Sequence, residues 1–185
     1  VLFKRNLGTL DDIAALNQEL ARAVPDGDPP LLISLDQEGG RVQRIQAPYP
    51  HWPPMARLGA RDRPELSRRI GAAMGWELWA LGFNVDWAPV LDVNSNPANP
   101  IIGDRAFGAD PAQVARHALE YWVGLESSGV RGCGKHFPGH GDTATDSHLT
   151  LPVVERPLEQ LREVELAPFA EAARVGMAML MTAHV

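Results

Sequence analysis

The stretch Val130-Arg131-Gly132-Cys133-Gly134-Lys135-His136-Phe137-Pro138-Gly139-His140-Gly141 passes directly from a short apolar run into a loop dense in titratable groups. Its first part reads as a short buried strand, and Pro-Gly-His-Gly can continue neither a helix nor a strand. Polar chemistry is thereby mounted on a loop at the C-terminal end of a strand, where α/β proteins place their sites.

Working outward, strand-like apolar runs recur at residues 31–35, 83–90, 130–136 and 177–184. Their starts are about 50 residues apart, room for one strand, one helix and loops per unit. The intervals carry helix signals. Thr9 with Asp12 forms a capping box ahead of Ile13, Leu16, Leu20 and Val24, and Pro25-Asp26-Gly27 ends that helix. Asp62 opens a second helix, with Leu66, Ile70, Ala73, Met74 and Leu81 on one side and Gly82 as C-terminal cap. Asp110-Pro111 opens a third, running through Val114, Ala118, Trp122 and Leu125 to Gly129. Pro157 opens a fourth, which Pro168 must kink or divide before Gly176.

Alternating strands and helices with apolar strands predict a parallel sheet with helices outside it, an α/β fold. A doubly wound open sheet and an eight-stranded barrel both satisfy that pattern. No G-x-G-x-x-G follows a strand, and Gly139-His140-Gly141 leads to no Lys-Ser/Thr, so dinucleotide and P-loop sites are not expected. The barrel is favoured by where the polar residues fall. Asp36, Asp92 with Asn94, Lys135-His136 and His184 each end a different strand run, as in a barrel that assembles one site from many strands. Only four runs and a remnant at Val1-Leu2-Phe3 are present, about five of the eight strands of a closed TIM (β/α)8 barrel. The expectation is a single domain over residues 1–185, an incomplete internal portion of a longer polypeptide.

The bulk composition narrows the partners. The chain has 185 residues, 45% of them hydrophobic, and a net charge of −6. No Lys/Arg cluster exceeds a local pair such as Arg68-Arg69, which argues against a nucleic-acid surface. No apolar stretch approaches the ~20 residues of a membrane span. The single cysteine, Cys133, excludes a disulfide framework and suits a reducing compartment. A metal site built from His136, His140, Asp142, Asp146 and His148 has suitable ligand types. It is disfavoured because Pro138-Gly139 prevents a helical pairing of the first two histidines. No cofactor is expected.

Asp146-Ser147-His148 is the most specific chemical feature. Residues two apart in an extended loop point the same way, so the Asp146 carboxylate can reach the His148 imidazole and fit it for proton transfer. The segment KHFPGHGDTATDSHLTLP from Lys135, with DQEGGRVQR at 36–44, FNVDWAPVLDV at 83–93 and GDRAFG at 103–108, resembles the bacterial family 3 glycoside hydrolases. More narrowly, it resembles their β-N-acetylglucosaminidase (β-hexosaminidase) branch, the NagZ type. The resemblance implies a TIM-barrel catalytic domain that hydrolyses terminal β-linked N-acetylglucosamine, with retention, from muropeptides carrying anhydro-N-acetylmuramic acid. It also implies a cytoplasmic, monomeric full-length enzyme of cell-wall recycling, with neither nucleic acid nor membrane as partner.

By the same resemblance His148 is the acid/base and Asp146 its supporting carboxylate, while Asp36, Arg44, Arg105, Lys135 and His136 hold the terminal sugar. The nucleophilic aspartate of the resembled family matches no position here, so the chain alone is expected not to turn over. Asp86 and Asp92 are read as supports of the sugar site. The other readings are a β-glucosidase-like exo-glycosidase, which generally lacks the Asp-x-His pair, and a non-catalytic sugar-binding fragment in which tryptophans stack on sugar rings. Trp76, Trp79 and Trp122 fall on helical patterns and are expected to pack.

Overall fold

The computed structural model describes residues 1–142 and 156–183. The parallel wall is laid down in succession: β1 (Ser34–Leu35) pairs with β4 (Val85–Asp86), and β4 pairs with β5 (Arg131–Gly132). The chain of β5 runs on as β6 (Gly134–Phe137), which keeps a bridge to Val90 and pairs in parallel with β7 (Leu180–Thr182). At the other edge the Leu2 N–H donates to the Ser34 carbonyl at 2.7 Å, laying the opening residues beside β1. Five successive chain segments thus lie side by side in sequence order. A doubly wound sheet reverses its strand order at a switch point, whereas a barrel does not. The expected α/β barrel arrangement is the one the structure has, as a partial, unclosed wall.

The helices follow their sequence signals. α1 (Leu10–Arg22) starts on the Thr9/Asp12 capping box. α3 (Pro64–Ala80) follows a short α2 (Met55–Gly59) and begins at Pro64, two residues later than Asp62 suggests. α4 (Pro111–Glu126) is capped by Asp110, whose carboxylate accepts from the Gln113 N–H at 2.7 Å. Pro168 does divide the last helical stretch, into α5 (Leu158–Glu163) and α6 (Ala167–Arg174). Gly82, Gly129 and Gly176 each stand just past a helix end with φ of 85°, 89° and 84°, the left-handed turn that ends helices.

α3 and α4 pack closely because glycines line the seam. A Cβ on Gly71 would meet the Tyr121 carbonyl, and one on Gly124 the Arg68 carbonyl. Leu35, Phe83, Leu91, Phe107, Met74, Leu78 and Tyr121 fill the space between helices and sheet. Among the described residues no helix is long and apolar enough to cross a membrane.

Three expectations change. Leu31 and Leu32 are exposed instead of lying in a buried strand, because the Asn84 side chain takes the Leu31 carbonyl and the Ile33 N–H in place of a neighbouring backbone. Residues 36–44 hold an antiparallel hairpin, β2 (Gln37–Gly39) with β3 (Val42–Gln43), that the strand spacing does not reveal. Trp76 and Trp79, expected to pack, are 53% and 56% exposed and meet edge to face, since Met74, Gly75 and Leu78 occupy the buried side of α3. His184, the polar end of the last run, lies outside the described residues.

Candidate active site

A cavity of about 440 Å³ opens where the parallel strands end, within the range of small-molecule sites. Asp36 enters it directly after β1, Glu38 from β2, Arg44 just after β3, and Lys135 and His136 from β6. Arg105 comes from a 3-10 turn, Gly103–Arg105, in the connection between β4 and α4. The five residues expected to hold a sugar therefore line one cavity, although they are scattered over a hundred positions of chain. Asp146 and His148 lie outside the described residues.

Strand alternation accounts for the first part of the site. In the extended Asp36-Gln37-Glu38 segment, Asp36 and Glu38 share a face and Gln37 takes the other. The Gln37 N–H donates to Asp86 at 2.9 Å, and its side-chain oxygen accepts from the Arg44 N–H at 2.8 Å. Asp86 is buried beneath the site, and burial pushes its carboxyl well above the usual carboxylate range.

The site itself is a run of alternating charges. Arg44 Nη2 donates to Asp36 Oδ2 at 3.1 Å, and Lys135 Nζ donates to Asp36 Oδ1 at 2.8 Å. Lys135 Nζ also contacts Glu38 Oε1 at 2.5 Å, and Arg105 grips Glu38 through Nε and Nη2, each at 2.8 Å. Burial alone would drive the Glu38 carboxyl up, but the Lys135 and Arg105 charges win and bring it to about 2. Asp36 follows the same balance and lies below its ordinary range, with Lys135 the main opposing influence on burial. Burial would likewise strip the proton from Lys135, yet the Glu38 and Asp36 carboxylates hold its pKa above the ordinary lysine value.

His136 is fixed separately. Its Nδ1 lies 2.6 Å from Asp92 Oδ2, while Nε2 faces Arg105 Nη2 at 3.4 Å. A guanidinium can only donate, so the neutral ring carries its proton on Nδ1. Asp92 is fully buried and also accepts the His136 N–H at 3.2 Å and the His140 N–H at 2.7 Å. Burial opposes its ionisation, but the His136 interactions keep the carboxyl below its usual range.

Two further groups brace the cavity. Arg41, in the turn of the β2–β3 hairpin, donates to the carbonyls of Pro100, Ile101 and Ile102 and pairs with Asp104, tying down the connection that carries Arg105. Asn99 in that connection donates to the His140 and Gly141 carbonyls. Among the described residues no group of three or more His, Cys, Asp or Glu side chains is arranged to hold a metal ion. Asp142 is instead paired with Arg156 at 2.6 Å.

Glu38 and Arg41 are site residues that the sequence reading passes over. For Glu38 a signal existed, its spacing of two from Asp36 in an extended segment. Arg41 offered none, because its partners are backbone carbonyls about sixty positions away.

A wall of sequential parallel strands with a charged cavity at its C-terminal end is the architecture of part of a (β/α)8 barrel, and comparison with known proteins gives the family. The chain belongs to glycosyl hydrolase family 3: the family described as Glycosyl hydrolase family 3 N terminal domain matches residues 1–185. More particularly, the chain is 41% identical to a β-hexosaminidase of Thiobacillus denitrificans over 191 residues, all of this chain and 52% of that protein. The crystal structure of native NagZ from Neisseria gonorrhoeae superimposes with a TM-score of 0.91 at 40% identity, covering 100% of this chain and 54% of that one. A family 3 β-N-acetylglucosaminidase from Paenibacillus superimposes with a TM-score of 0.94 at 46% identity, over 100% of this chain and 35% of the other. The chain spans about half the length of the curated relatives it matches.

Proposed function

We propose that the chain forms part of the catalytic barrel of a retaining β-N-acetylhexosaminidase acting on terminal β-linked N-acetylglucosamine of peptidoglycan-derived muropeptides. The observation that carries this reading is the convergence of Asp36, Arg44, Arg105, Lys135 and His136 on one cavity at the strand ends. A carboxylate such as Asp36 accepts from paired sugar hydroxyls, and Arg44, Arg105 and Lys135 donate to hydroxyl or acetamido oxygens with charge-assisted strength. The relatives named β-hexosaminidase and β-N-acetylglucosaminidase support the choice of sugar.

In this reading the His148 imidazolium, supported by Asp146, gives its proton to the glycosidic oxygen as a carboxylate attacks the anomeric carbon. The bond to the leaving sugar breaks and a glycosyl-enzyme ester forms. His148, now neutral, then takes a proton from water, whose oxygen displaces the carboxylate and restores the β configuration. The nucleophilic aspartate of the resembled family matches no position in residues 1–185, so this reading assigns it to a longer polypeptide containing them; among the described residues the cavity carboxylates are paired, Asp36 with Lys135 and Arg44 and Glu38 with Lys135 and Arg105. The enzyme is placed in the cytoplasm, where its buried, unpaired Cys133 stays reduced.

Time-resolved proton NMR of a chromogenic β-N-acetylglucosaminide digested by the full-length polypeptide tests the reading. The β-anomer of N-acetylglucosamine should appear first, and residues 1–185 alone should release nothing. First appearance of the α-anomer, or preference for a β-glucoside, would contradict it.

A further inference from the structure

We infer that Glu38 is a positioning residue that locks Arg105 and Lys135 side by side as a paired donor for the sugar, without itself touching the sugar. This deepens the proposed function and rests on it for the identity of the sugar.

Glu38 is far more buried than Asp36, the other carboxylate of the cavity among the described residues. Its side chain is 2% exposed, against 20% for Asp36 and 33% for Arg44. Both of its oxygens are occupied, Oε2 by Arg105 Nε and Oε1 by Arg105 Nη2 and Lys135 Nζ. The two cations thus share one oxygen, although they arrive from β6 and from the 3-10 turn ahead of α4. Two cations this close repel unless an anion stands between them, and a buried one has no water to screen it.

Lys135 is 1% exposed and depends on Glu38 and Asp36 for its charge, with Arg105 acting against it. Asp36 cannot replace Glu38, because its second oxygen is held by Arg44. The position of Glu38 is in turn fixed by the hairpin. Gly39 and Gly40 follow it with φ of 91° and 57°, and the Gly40 N–H donates to the Trp52 carbonyl at 2.8 Å. A Cβ on Gly39 would lie 2.7 Å from the Pro53 carbonyl oxygen, so only glycine allows the chain to turn there.

The test compares the full-length wild type with Glu38→Gln, which keeps the shape and removes the charge. With a chromogenic β-N-acetylglucosaminide, Glu38→Gln should raise KM roughly tenfold or more and change kcat much less, the pattern of lost uniform binding. Combined with Arg105→Ala, it should add little to the effect of Arg105→Ala alone, because Glu38 acts through that residue. If Glu38→Gln fails to fold, Glu38→Asp, which keeps the charge but cannot reach both cations, should give a folded enzyme with raised KM. A substrate-free readout accompanies the kinetics: NMR titration of the Lys135 ammonium, which faces Glu38, Asp36, Arg105 and, from below, Asp86, should move to lower pH in the folded variant.

Wild-type KM in folded Glu38→Gln, full additivity with Arg105→Ala, or an unmoved Lys135 titration would each overturn the lock. A wild type that ignores the β-N-acetylglucosaminide while Lys135 still shifts in the variant would overturn the assigned sugar instead.

Discussion

Asp92 has no route to the cavity, yet three hydrogen bonds converge on it, from the His136 ring, the His136 N–H and the His140 N–H. It holds the His136 ring in one orientation and one tautomer. Replacing it with Asn keeps the volume, removes the charge and offers an N–H to a ring nitrogen that itself donates. Losing a hydrogen bond to a charged group costs about 1.5–3 kcal/mol, so Asp92→Asn in the full-length polypeptide should lower kcat/KM roughly tenfold to hundredfold. Steady-state kinetics on a folded variant checks this, and an unchanged kcat/KM would remove Asp92 from the site. At this scale the sequence was readable where chemistry and motif coincide, as at Asp36, Arg44, Arg105, Lys135 and His136. It was unreadable where a residue acts by contact with distant backbone, as Arg41 does, because nothing local marks the partner.

The elements carry their own titration. Ser67 of α3 and His117 of α4 meet at 2.8 Å in the buried seam, with Asp62, Arg116 and Glu65 nearby. Burial lowers the His117 pKa below the ordinary 6.5, so the folded seam favours the neutral ring and the unfolded chain takes up a proton more readily. The stability contributed by the neutral ring is present above pH 6.5 and is lost as pH falls through the folded value. Melting temperature should therefore decline as pH falls below 6.5, and His117→Gln should flatten that decline. Parallel pH series of thermal melts for the two proteins measure it, and identical slopes would assign the dependence elsewhere.

Helix ends were legible because caps are local: Thr9 with Asp12, Asp110, and the prolines at 157 and 168. The seam glycines were not, since a glycine inside a helix looks like a weakness until the opposing carbonyl is seen. The apolar runs marked the strands but overstated β1, because no local pattern reveals that the Asn84 side chain will take over its first pairings.

For the whole molecule, the order of the strands matters more than any one of them. An acidic chain of net charge −6 gathers Arg41, Arg44, Arg105 and Lys135 around Asp36 and Glu38 at one end of a parallel wall. That concentration follows from strands laid down in sequence order, each ending at the same rim. The rim was foreseeable from polar residues recurring at strand ends. Its charge pairing was not, because residues as far apart as Asp36 and Lys135 meet only after the wall is built.

The most direct test of the central claim is kcat/KM for a chromogenic β-N-acetylglucosaminide, measured for the full-length polypeptide beside its His148→Ala form. Turnover by the wild type with a loss of about 10²–10⁴-fold on substitution is the predicted result, the usual span of general acid/base catalysis. Equal rates for the two proteins would contradict the account.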